Sequence, residues 1–81
     1  MQYHELFALR IRELCAEHGI TVNRLATLSG VKQSTIDNIL RGASKNPTAH
    51  TLHQLAVTFG MTLSEFLDFP ELNEYPIDDE E

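Results

Sequence analysis

A chain of 81 residues with 42% hydrophobic and 22% charged side chains suits one small domain, because chains near this size bury only roughly 60% of their unfolded surface; a two-domain enzyme is excluded. No apolar run nears the ~20 residues of a membrane span, Glu5 stands where a secretory signal needs a base, and Cys15 is the single cysteine, so the expectation is a cytoplasmic chain with no membrane helix, disulfide or multi-cysteine zinc site. The net charge of −6 weighs against a nucleic-acid partner only until position is considered: the excess lies in residues 71–81, whereas across 20–48 Arg24, Lys32, Arg41 and Lys45 face Asp37 alone.

Between the turn residues, apolar positions repeat at helical rather than strand period, which predicts an all-α fold. Helix one is expected over residues 4–18, with Phe7, Ile11, Leu14, Cys15 and His18 on one stripe and Gly19 as its stop. Thr21 caps a second, shorter helix that carries Val22, Leu25 and Ala26 inward and ends at Gly30. After Val31, a third helix runs from Gln33 to Arg41 with Ile36, Ile39 and Leu40 on its buried side and Gly42 beyond it. Thr48 caps a fourth helix, which buries Leu52, Leu55, Ala56 and Phe59 and stops at Gly60. Thr62 and Glu65 have capping-box spacing for a fifth, Met61 and Phe66 hold the staple positions, and Pro70 closes it. Residues 1–70 are thus expected to form a compact five-helix domain. Residues 71–81, with Pro76 and four consecutive acids, are expected to be a disordered acidic tail.

The window 22–41 sets two short helices across a glycine turn, with the small Ala26 where they cross. Leu25, Val31, Ile36 and Ile39 make the wedge of core beneath them, leaving Lys32, Gln33, Ser34, Asp37 and Asn38 outward. The run from Thr21 to Gly42, followed by Asn46-Pro47, Leu52, Leu55-Ala56, Gly60 and Leu63, resembles the Cro/repressor-type (XRE) helix-turn-helix family over about residues 5–67. The resemblance implies a lambda-repressor-like domain that binds double-stranded DNA as a homodimer, with the third helix of each copy in the major groove. Carried over position by position, Lys32, Gln33, Ser34 and Asn38 meet base edges, the two amides pairing with adenine and the lysine reaching guanine. Thr21, Asn23, Arg41, Ser44, Lys45 and Asn46 hold the phosphate backbone. Two departures stand out. Val22 occupies a position where many relatives carry a phosphate-contacting Gln, and Cys15 and Leu40 replace an Arg–Glu pair that some relatives bury, so an apolar contact is expected there. The implied function is a sequence-specific transcriptional regulator, a repressor on a palindromic operator. The alternative is an antitoxin-like or other interaction module that docks a partner chain through the acidic tail or helix five.

Plainer readings stand beside these. Lys32 opposes the helix dipole and forgoes a cap, a conflict of the kind that gathers at functional sites; the alternative is a tolerated surface lysine. His50 with His53, and Cys15 with His18, each supply two ligands, too few to close a tetrahedral metal site. Cys15 and His18 on one stripe read as packing rather than as a nucleophile and its base. No acid, base and nucleophile converge, so neither an enzyme nor a cofactor is expected. Leu9, Phe69, Leu72 and Tyr75 fall off the stripes and are candidates for a dimer surface. The tail can solubilise the chain, contact another protein, or fold back as a DNA mimic onto Lys32, Arg41 and Lys45.

Overall fold

The computed structural model describes residues 1–43 and 46–77. Six helices follow one another, α1 (Glu5–His18), α2 (Val22–Ser29), α3 (Gln33–Leu40), α4 (Ala49–Thr58), α5 (Leu63–Leu67) and α6 (Pro70–Asn73), with no strand among the described residues. Three of them begin at threonine caps: the hydroxyls of Thr21, Thr48 and Thr62 accept the amides of Arg24, Thr51 and Glu65, each substitution to Ala being worth about 1 kcal/mol. At Thr62 the box is complete, since its own amide donates to the Glu65 carboxylate at 2.8 Å. None of these helices among the described residues is long and apolar enough to cross a membrane.

The inward faces meet in one core, in which Ile11, Leu25, Ile36, Leu55 and Phe66 have no exposed surface. Full burial of each such side chain stabilises the fold by roughly 1.5–3 kcal/mol. Helix α3 packs on α1 and α2, while α4 joins α2 to α5. The turn that sets α3 against α2 depends on Gly30, which sits at φ +77° and donates its amide to the Ala26 carbonyl at 3.1 Å, a left-handed conformation that costs residues with a Cβ. Val31 then drops into the core, and its amide donates to the Ser29 hydroxyl at 3.2 Å.

Arg10 makes a tie that helical spacing alone does not reveal. Its Nε donates to the Phe66 carbonyl at 2.7 Å and its Nη2 to the Glu65 carbonyl at 2.9 Å, so that at the end of α5 the Phe66 carbonyl gains a partner and the Glu65 carbonyl, which already receives the Asp68 amide at 3.2 Å, gains a second. The guanidinium also lies 5.0 Å from the Phe69 ring centre and 5.8 Å from that of Phe66, within cation–π range. Leu6, off the expected stripe, is 1% exposed and belongs to the interior.

The C-terminal segment differs from expectation. Pro70 does not simply end α5; it opens α6 at the first helical position, where its fixed φ is suited and its missing amide hydrogen costs nothing. Leu72 packs against the core. The Tyr75 ring meets that of Tyr3 edge-on at 5.3 Å, and its hydroxyl donates to the Met1 carbonyl at 3.2 Å. The beginning of the stretch expected to be a disordered tail is therefore helical and anchored on the N-terminus, because it carries apolar side chains that the acids obscured; residues 78–81 lie outside the described residues. Phe69, taken as a candidate for a dimer surface, is 2% exposed, and Leu9, Leu72 and Tyr75 are half-buried. Arg41 caps α3 rather than continuing it. Cys15 lies in the core and Leu40 packs against that same core, while the Leu40 carbonyl receives Arg12 Nη2 at 3.5 Å.

Gly42, at φ +76°, closes the segment after α3 beneath His4: a Cβ added there would lie 2.9 Å from His4 Nε2. Gly42→Ala is expected to cost about 1–2 kcal/mol in urea unfolding, mostly from the left-handed backbone. Adding His4→Ala removes the collision alone, so the double variant should recover only part of the loss.

Candidate nucleic-acid interface

The outward side of α3 follows from which of its residues are claimed by the core. Ile36 and Ile39 are at most 1% exposed and fix the inner face. Positions 33, 34, 37, 38 and 41 then fall on the opposite side by helical geometry. Lys32, Ser34 and Arg41 are exposed; Gln33, Asp37 and Asn38 are half-exposed. The four residues expected to meet base edges, Lys32, Gln33, Ser34 and Asn38, thus stand at or along one helix.

Two side-chain pairs hold part of this face. Gln33 Nε2 donates to Asp37 Oδ1 at 3.1 Å, one turn apart. Arg41 Nη2 donates to Asn38 Oδ1 at 2.7 Å. The chemistry of the partners orients both amides: a carboxylate oxygen only accepts and a guanidinium only donates. Such i, i+4 and i, i+3 pairs restrict rotamers before any ligand arrives. The sequence spacing could have signalled both.

Lys32 is the N-cap of α3 and its side chain makes no capping hydrogen bond. Its ammonium stands at the positive end of the helix dipole, an arrangement that costs roughly 0.3–1 kcal/mol. Lys32→Ser is expected to raise stability by about 0.5–1 kcal/mol in urea unfolding, through a new cap and removal of that conflict. The same change should weaken duplex binding.

Of the residues expected at the phosphate backbone, Thr21, Asn23, Arg41 and Asn46 are exposed, and Ser44 and Lys45 lie outside the described residues. The Thr21 hydroxyl is already used as the cap of α2, accepting the Arg24 amide at 3.1 Å. Val22, the departure at the first position of α2, packs against the core.

Among the described residues, nothing of comparable chemistry gathers elsewhere. Burial pushes the Cys15 thiol above its ordinary range, and the His18 ring rests 5.1 Å from the Phe59 ring with Nδ1 at 3.0 Å from the Leu14 carbonyl. His50 and His53 line an open groove of about 320 Å³ between α2 and α4, beside the exposed Leu28 and Val57. Among the described residues, no three His, Cys, Asp or Glu side chains come together as metal ligands.

Comparison with known proteins places this arrangement. The Cro/C1-type HTH DNA-binding domain matches residues 10–71. The HTH-type transcriptional regulator PuuR of Escherichia coli (strain K12), and the protein of the same name from Shigella flexneri, are each 34% identical over 67 residues, covering 83% of this chain and 36% of the relative. The chain therefore spans about a third of the length of these curated relatives. The crystal structure of the prophage Lp1 protein 11 is similar with a TM-score of 0.80 and 36% identity, over 89% of this chain and 95% of that one.

Proposed function

The chain belongs to the Cro/C1-type helix-turn-helix family of DNA-binding domains, and from that premise we propose that it is a sequence-specific regulator of transcription, a repressor acting as a homodimer on a palindromic operator. The observation that carries the reading is the outward face of α3, where Lys32, Gln33, Ser34 and Asn38 are left free of the core by Ile36 and Ile39. A helix inserted in the major groove by that face presents donors and acceptors to base edges. Arg41, Asn46 and Asn23 are the described exposed residues that take the backbone role, with Ser44 and Lys45 beside them in sequence. The named curated relatives are themselves called transcriptional regulators.

Charge argues for two copies. Arg24, Lys32, Arg41 and Lys45 are the bases of the 20–48 stretch, so each domain neutralises few phosphates and its salt dependence is shallow. Two linked half-sites multiply a modest affinity without adding contacts, and occupancy of a promoter then excludes polymerase sterically. Selection of bound duplexes from a random pool tests the proposal: the expected product is an inverted repeat with half-site centres about 34 Å apart. Recovery of no preferred sequence would contradict it.

A further inference from the structure

Asp37 is the one acid among the bases of the 20–48 stretch, and it stands on the reading face of α3, hydrogen-bonded to Gln33. Its place one turn from Gln33 supports the helix through that hydrogen bond, but its charge does not. It lies three residues before the last residue of α3, Leu40, toward the negative end of the dipole, where a carboxylate is unfavourable. It also repels the phosphates that the surrounding bases attract. Together with Lys32 at the opposite end, it gives α3 two charges that run against its dipole, while Arg41 at the C-cap runs with it, and such local conflicts concentrate where function outweighs stability.

We propose that Asp37 is a specificity-determining residue that reads the amino group of a cytosine in each half-site. The inference rests on the reading of α3 as the DNA-contacting helix. Gln33 occupies Oδ1, which restricts the rotamers of the carboxylate and leaves Oδ2 as an acceptor outside that hydrogen bond. Base edges differ in what they offer that oxygen. Guanine presents two acceptors, thymine a keto oxygen and a methyl group, and adenine an amino group beside the N7 acceptor. Cytosine alone presents its N4 amino group with no neighbouring acceptor in the groove. The carboxylate therefore rewards cytosine and penalises the others, and the same charge lowers affinity for unrelated duplex, which widens the ratio that a regulator needs.

Asp37→Asn tests this at constant shape. Its amide offers a donor and an acceptor together, the combination that pairs with adenine. Duplex selection with the wild-type chain should return a cytosine at one position of each half-site, and selection with Asp37→Asn should replace it by adenine, with a change in relative preference of at least about fivefold. Affinity for a duplex of unrelated sequence should rise in the variant, and more at low salt. If Asp37 serves only as a helical partner of Gln33, both proteins will select the same base at every position, and the proposal is overturned. If the wild-type chain enriches no sequence at all, the reading of α3 fails and this inference fails with it. Circular dichroism of both proteins separates these outcomes from a loss of fold.

Discussion

Phe66→Ala is expected to remove about 3–5 kcal/mol of stability, the usual cost of truncating a buried aromatic ring to a methyl group. Phe66 has no exposed surface and joins the core cluster from α5, a helix of five residues that is far too short to be stable by itself. The stability of a small domain is only about 0.05–0.15 kcal/mol per residue, about 4–12 kcal/mol for a chain of this length, so the loss is a large share of it. The variant should unfold, by circular dichroism, at a urea midpoint far below that of wild type. Phe66→Leu, which keeps most of the volume, should cost about 1.5 kcal/mol or less. A loss below about 1 kcal/mol for Phe66→Ala would mean that α5 does not close the core.

The second large effect is at Arg10. Replacement by Met keeps the aliphatic stem but removes both donors to the α5 carbonyls and the cation over Phe69 and Phe66. Hydrogen bonds from a charged donor contribute about 1.5–3 kcal/mol, toward the low end here because the contact is partly exposed. The expected loss is about 2 kcal/mol in urea unfolding. Arg10→Lys retains a charge near the rings but has no planar fork for two carbonyls, so it should recover less than half of that. Equal stability of Arg10→Met and wild type would show the clamp to be ornamental.

These two residues mark what the sequence reveals and what it hides. Thr21, Gly30, Thr48 and Thr62 mark boundaries by local chemistry, and the apolar stripes of the first four helices define the inward faces, because both signals operate within a few residues. Arg10 looks like a surface residue of α1, since its partners lie 55 and 56 positions away and no spacing rule spans that distance. Pro70 misleads for the opposite reason: the property that ends one helix also starts another, and only the anchoring of Leu72 and Tyr75 shows which is at work. His4 above Gly42 is invisible in sequence for the same reason as Arg10.

At the candidate interface, the identities of the outward residues follow from the buried Ile36 and Ile39, but their hydrogen-bonding state does not. The Gln33–Asp37 and Asn38–Arg41 pairs were available in the spacing, one turn apart on a short helix, yet a sequence leaves open whether such groups pair or point away. The backbone-contacting set is less legible still. Thr21 has its hydroxyl committed to a cap, and Ser44 and Lys45 lie outside the described residues.

The account turns on the outward face of α3 as the surface that meets DNA, and residue-by-residue amide shifts of the isotope-labelled chain, titrated with a selected duplex, test it most directly. The largest changes should fall within 32–41, at Asn46, and at the first turn of α2, and should weaken with salt. Changes confined to the groove lined by Leu28, His53 and Val57, or no saturable change at all, would contradict it.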